Sequence, residues 1–205
     1  MRSLVLASGG IDSLVALYDT LIIPRSEVHL LYVDYGQNNR HLEEKCVEQW
    51  SCISGVTKLH KSLLLLPYHD PAYVKPEDIF MHVPWRNLNL IAKAAVYAKQ
   101  LQCDEIVVGM HSSDYDEYFD CRPNFINAVS DVLALGDPEP IILVTPNLYH
   151  TKAQVVEKGI DFKIDFSMTW TCYKAGPKSC GECAACIGRK AAFAVNGVID
   201  PLEGN

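Results

Sequence analysis

Leu4-Val5-Leu6-Ala7-Ser8-Gly9-Gly10-Ile11-Asp12-Ser13 runs from apolar residues into a Ser/Gly turn, and an apolar-periodic segment follows with Leu14, Val15, Leu17, Tyr18 and Leu21. That order predicts a strand, a tight loop and a helix. Two adjacent glycines let the loop backbone approach a ligand closely, because no Cβ intervenes. The loop feeds a helix N-terminus, whose unpaired N–H groups and positive dipole end favour a phosphate. It is not the GxxxxGK[ST] loop, since both the spacing and the lysine are missing. The plain alternative is an ordinary strand-to-helix turn in which Asp12 and Ser13 supply the cap. Its place directly after a buried-strand pattern favours the phosphate loop.

Outward from this loop the chain alternates strand and helix signals. Val28 to Val33 reads as a buried strand after a turn at Pro24 and Ser26, and it ends in the glycine-bearing turn Asp34-Tyr35-Gly36-Gln37. His41 to Cys52 has a charged, helix-like pattern, and Val56 to His60 suggests a third strand. Residues 62–84 carry Pro67, Pro71, Pro76 and Pro84 with little periodicity, the mark of a lid or binding loop. Asn87 to Gln102 is an amphipathic helix with Leu88, Ile91, Ala94, Ala95 and Ala98 on one side. Then come a strand at Ile106 to Gly109, a helix at Phe125 to Leu135, a strand at Ile141 to Val144 and a short helix at Thr151 to Glu157. Repeated βα alternation predicts an α/β fold: a Rossmann-like parallel sheet covered on both faces.

At 205 residues, 49% hydrophobic and 21% charged, the chain fits one core and a small module. The expected organisation is a nucleotide domain over 1–165, with a cysteine module and tail over 166–205 packed on it. Neither a secretory leader nor a membrane-length apolar run is evident, so a soluble, cytoplasmic protein is expected. The net charge of −7 argues against a nucleic-acid partner, which calls for a basic face.

Of eight cysteines, Cys46, Cys52, Cys103 and Cys121 are scattered singly and read as small core residues. Cys172, Cys180, Cys183 and Cys186 form C-x7-C-x2-C-x2-C, a metal-site spacing. Four converging thiolates suit tetrahedral zinc. An iron–sulfur cluster uses similar spacing, but Ile187 stands where a ferredoxin's last cysteine is commonly followed by proline. Redox cysteines are the remaining alternative.

Six further motifs accompany the loop: Asp34-Tyr35-Gly36-Gln37, Val83-Pro84-x-Arg86-Asn87, Asp120-Cys121-Arg122-Pro123-x-Phe125, Lys152-Ala153, Thr171-Cys172-Tyr173, and Cys180-Gly181-Glu182-Cys183-Ala184-Ala185-Cys186-x-x-Arg189-Lys190. In this order, over about residues 3–201, the chain resembles the 7-cyano-7-deazaguanine synthases, nitrile-forming ligases among the N-type ATP pyrophosphatases. The resemblance implies an adenine-nucleotide-hydrolase-like domain with a zinc-bearing C-terminal region, a homodimer, and use of ATP, Mg²⁺ and Zn²⁺. It implies conversion of 7-carboxy-7-deazaguanine and ammonia to the 7-cyano compound: the carboxylate is adenylylated, an amine gives the amide, and a second activation allows dehydration.

The resemblance assigns Ala7, Ser8, Gly9, Gly10, Ile11, Asp12 and Ser13 to ATP, with Asp12 helping to hold Mg²⁺ or its water shell. Tyr35, Gln37, Arg86, Asn87, Asp114 and Asp120 are candidates for substrate, either aspartate being able to accept from a guanine-like edge. Both aspartates are equally readable as turn or helix-cap residues. Arg122 and Lys152 are catalytic candidates with Asp12, as cations that neutralise phosphate or substrate charge; the alternative is a surface cation or structural ion pair. His82, His111 and His150 receive no role.

Some positions depart from the family pattern. Asp114-Tyr115-Asp116-Glu117-Tyr118-Phe119 replaces a segment that usually holds a glycine and a proline, and Trp85 stands where glycine is common. An extra residue follows Gln37, and the span from Lys152 to Cys172 is short. These loops leave an alternative: a paralogue of the kind found in anti-phage operons, which couples the activated deazaguanine to another amine, a protein's included, and stops at the amide. Two other classes weigh less. A tRNA-modifying relative is opposed by the acidic charge, and an idle binding module by the complete loop.

Overall fold

In the computed structural model, residues 1–24, 27–66 and 83–203 are described. Five strands, β1 (Arg2–Leu6), β2 (Glu27–Asp34), β3 (Val56–Leu63), β4 (Glu105–Val108) and β5 (Ile142–Val144), form one sheet in the order β3-β2-β1-β4-β5. All four pairings are parallel. Strand alternation gives the sheet two buried faces. Val5, Leu30 and Val107 join one core with Leu14, Leu17, Val155 and Phe193. Leu4, Leu31 and Ile106 join the other with Ile91, Ala94, Ala98 and Val129. A strand's side chains point alternately to opposite faces, so apolar residues in succession require helices on both sides.

Among the described residues six α-helices cover these faces: α1 (Ile11–Leu21), α2 (Arg40–Trp50), α3 (Arg86–Gln100), α4 (Pro123–Leu135), α5 (Lys152–Asp161) and α6 (Ala184–Val195). The expected Rossmann-like sheet and its helices are present, with ends shifted by a few residues. β3 runs to Leu63 rather than His60, and α5 extends past Glu157 to Asp161. A capping box starts α5, with Thr151 accepting from the Gln154 N–H and Gln154 from the Thr151 N–H. The chain reverses its progress across the sheet at β1, between β2 and β4. A ligand site is therefore expected at the carboxyl end of these strands.

Most of the proline-bearing stretch expected as a lid, 67–82, lies outside the described residues, as do Ser26 and His82. Ser62 and Leu63 belong to β3. Cys46, Cys103 and Cys121 are buried as expected, but Cys52 is exposed just beyond α2.

Helix α6 has no counterpart among the helices expected from the sequence. It enters the first core through Ala192 and Phe193, with Phe193 edge-on to Phe166. Arg189 on this helix is buried; its Nε and Nη2 reach the two Asp200 carboxylate oxygens at 2.7 and 2.8 Å. Its Nη1 donates to Thr169 and Thr171. Asp200→Ala leaves this guanidinium without its counter-ion and is expected to cost about 3–5 kcal/mol, read as a lower urea midpoint with unchanged m. No helix among the described residues is long and apolar enough to cross a membrane.

Candidate active site

The loop between β1 and α1 closes on itself through its two serines. Ser13 Oγ accepts from the Ser8 N–H, lies 2.9 Å from Ser8 Oγ and donates to the Gly10 carbonyl. Gly9 has φ +78°, and a Cβ there would lie 2.8 Å from Glu43 Cα. Glycine thus meets both a left-handed backbone and close approach to α2.

From Asp12, on the first turn of α1, an electrostatic relay extends across the site. Lys152 Nζ, at the start of α5, lies 2.6 Å from both Asp12 carboxylate oxygens. His111 Nε2 lies 3.5 Å from Asp12 Oδ1 and 3.6 Å from Asp114 Oδ2. Burial alone would raise the Asp12 carboxyl, but Lys152 and then His111 hold it below its ordinary value. Asp114 is shifted the other way, chiefly by burial, against the pull of His111.

A cavity of about 450 Å³ opens on this loop and is the larger of the two best-formed among the described residues. Ala7, Ser8, Gly10, Asp12, Ser13 and Lys152 line it, together with Tyr35, Gln37, Arg86, Asn87 and Asp114. The Arg86 guanidinium stands 5.8 Å from the centre of the Tyr35 ring. One cavity therefore brings together a phosphate-type loop, cations, aromatic rings and carboxylates.

Four residues singled out in the sequence lie elsewhere. Gly9, though within the loop, is buried and outside the cavity lining, and Ile11 belongs to the core. Asp120 Oδ2 accepts from the Asn87 N–H at the start of α3, the helix-cap alternative for that residue. Arg122 lies 4.1 Å over the Phe119 ring and donates to the Tyr115 carbonyl, away from the cavity lining. Conversely, the cavity lining includes residues without a role in the sequence reading, among them the titratable His111 and Glu43. Trp85 takes φ +62°, a left-handed conformation that favours glycine, the residue common there in the family it resembles.

The four C-terminal cysteines converge as their spacing implies. Their sulfurs all lie within 4.8 Å of one another, Cys180 and Cys186 at 3.9 Å. Thiolates around a tetrahedral zinc at about 2.3 Å stand about 3.8 Å apart, so the donor set fits zinc. Backbone N–H groups of Lys174 and Cys180 point at Cys172 Sγ, and that of Cys183 at Cys180 Sγ. The Cys180 thiol is drawn down to about 6, chiefly by the N–H of Glu182. The purified protein is expected to carry one zinc per chain with no visible absorbance, checked by elemental analysis and a spectrum; Cys180→Ser should lower both zinc content and Tm. The centre is tied to the cavity wall, since Asn39 Nδ2 donates to the Cys172 carbonyl and Trp170 N–H to Gly9.

A doubly wound parallel sheet, a glycine loop at its switch point and a four-cysteine centre define the class: a Rossmann-like α/β protein with a metal-type C-terminal module. Comparisons with known proteins narrow it further. The family model described as queuosine biosynthesis protein QueC matches residues 2–197, and the chain belongs to that family. Relatives include the 7-cyano-7-deazaguanine synthases of Pseudoalteromonas atlantica, 34% identical with 98% of each chain covered, and of Alteromonas mediterranea, 36% identical over 97% of this chain and 96% of that one. The synthase of Haloarcula marismortui is 33% identical over 98% and 94%. Among solved structures, the U34-tRNA thiolase NcsA from Methanococcus maripaludis with its [4Fe-4S] cluster has a TM-score of 0.60 at 13% identity. This chain is covered to 96% there and spans 65% of that protein, so the likeness shows the fold.

Proposed function

We propose that the protein is an ATP-dependent carbon–nitrogen ligase that adenylylates the carboxylate of 7-carboxy-7-deazaguanine and, with ammonia, forms the 7-cyano product through the amide. The observation carrying this reading is that the Ser8–Ser13 loop and the Tyr35, Arg86 and Asp114 cluster share one cavity. In this reading the loop's N–H groups and the α1 dipole receive the β,γ-phosphates, and Lys152 moves from Asp12 to phosphate oxygens as charge develops. Asp12 is then free to hold the water shell of the Mg²⁺ that accompanies ATP. The deazapurine ring packs beside Tyr35 and Arg86, and Asp114 accepts from its N–H and amino edge. A carboxylate is a poor electrophile; adenylylation makes AMP a leaving group, and the cavity's task is to hold acyl carbon and amine together. Cys172, Cys180, Cys183 and Cys186 would hold zinc, which would fix the wall carrying Trp170 and Tyr173.

The alternative product, an amide with another amine, is favoured by one feature. Trp85 and Phe119 are 63% and 70% exposed, large rings of the kind that contact a partner. Mass spectrometry of the deazapurine with Mg-ATP and ammonium separates the two. Cyano product with AMP supports the synthase; AMP with amide or acyl-adenylate alone supports the other acceptor.

A further inference from the structure

Glu43 projects from the first turn of α2 into the cavity wall. Its two carboxylate oxygens accept from neutral donors only, Oε2 from Gln37 Nε2 at 2.7 Å and Oε1 from Asn39 Nδ2 at 3.1 Å. Both amides are oriented from outside: Gln37 Oε1 accepts from the Tyr35 N–H, and Asn39 also donates to the Cys172 carbonyl. A carboxylate offers about four lone-pair sites, so two remain for a ligand. No lysine or arginine among the described residues forms an ion pair with it. A partly buried anion held by fixed dipoles, with Arg86 acting on it only from beyond ion-pair distance, is a site for a small cation. Tyr32, Tyr35, Trp170 and Tyr173 line the same cavity, and aromatic faces suit an ammonium ion.

We propose that Glu43 is where ammonia enters the reaction: its carboxylate binds ammonium in the cavity and removes one proton, leaving neutral ammonia as the nucleophile. This rests on the adenylylation reading above. Ammonia is almost wholly ammonium at neutral pH, and ammonium has no lone pair with which to attack. The ammonium proton goes to the Glu43 carboxylate, and the nitrogen lone pair then forms the C–N bond to the acyl carbon. The C–O bond to AMP breaks with its electron pair on the phosphate oxygen. The second proton, from the tetrahedral nitrogen, passes to the departing phosphate. Glu43 returns its own proton to solvent before the next turnover.

The carboxyl is suited to this exchange. Burial pushes it up to about 7, against the opposing pull of Gln37, Asn39 and Arg86, while Asp34 pushes the same way as burial. Tyr32, Tyr35 and Cys46 are the other titratable groups around it. A base with that value accepts a proton near neutral pH far more readily than an ordinary glutamate.

The test compares two amines on Glu43→Gln: ammonia, and hydroxylamine, which is already unprotonated at neutral pH. Pyrophosphate release reports adenylylation; amide and hydroxamate report capture. The expected result is that the ammonia-to-hydroxylamine rate ratio falls about 10²-fold or more. Glu43→Asp, which keeps a carboxylate, recovers part of that ratio. An unchanged ratio, whether both rates fall together or neither falls, overturns the proposal and leaves Glu43 a structural residue. If the wild-type protein releases no pyrophosphate with 7-carboxy-7-deazaguanine and either amine, the adenylylation reading itself fails, a distinct outcome.

Discussion

Replacing Lys152 by alanine is expected to slow carboxylate-dependent pyrophosphate release about 10²- to 10³-fold, the usual loss when one preorganised charge is removed from a transition state. The fold should survive. Lys152 opens α5, but the capping box that starts the helix belongs to Thr151 and Gln154. What the variant loses is the one ammonium group 2.6 Å from both Asp12 oxygens. Asp12 is then left with His111 and a backbone hydrogen bond to oppose burial, so its carboxyl rises and takes a proton at higher pH. The acid limb of the rate profile should move upward, a change that general destabilisation would not cause. Lys152→Arg keeps the charge but replaces a compact ammonium with a planar fork and should fall between. The measurement is pyrophosphate release across pH for all three proteins. A Lys152→Ala rate within about threefold of wild type would remove Lys152 from the machinery.

The second large effect is structural. Gly109 follows β4 directly against α1, and a Cβ there would lie 2.5 Å from Asp12 C and O and from Ser13 N. These are backbone atoms of the loop-to-helix junction and cannot swing aside. Gly109→Ala is expected to destabilise the protein by about 3 kcal/mol, a Tm loss of about 6–12 °C for a chain of this size. Nucleotide affinity should fall with it, because relief requires shifting the first turn of α1. Gly188, inside α6, has nothing within 4 Å of its Cβ position. Gly188→Ala is therefore the control, expected to gain about 0.5–1 kcal/mol from helix propensity. Differential scanning calorimetry of the pair tests both signs. A Gly109→Ala Tm equal to wild type would show that the junction yields.

The glycine loop was legible in sequence because its physics is local. Two glycines, a serine on each side and a following helix are contiguous. The cysteine centre was legible for a similar reason, three of its four donors lying within Cys180–Cys186. Helix α5 was read short, since its last turns depend on packing against α1 and α6. Helix α6 went unassigned because the cysteine spacing captured the reading of its first turn. Glu43 and His111 carried no local signal. One is an acidic residue in a charged helix, the other a lone histidine after a strand. Their environments arise only when α2 folds under Gly9 and when β4 delivers His111 beside Asp12.

By itself, then, the sequence determined the parallel α/β architecture, the phosphate-type loop and the thiolate donor set, all written in residues close along the chain. The tertiary structure alone decided which candidates share the cavity. It put Asp114 on the cavity wall and Asp120 on a helix N-terminus, and it turned Arg122 onto Phe119. The reason is that a side chain's role follows from the electrostatic field and the burial around it. Those are sums over residues distant in sequence, brought near only by the crossing of strands and helices.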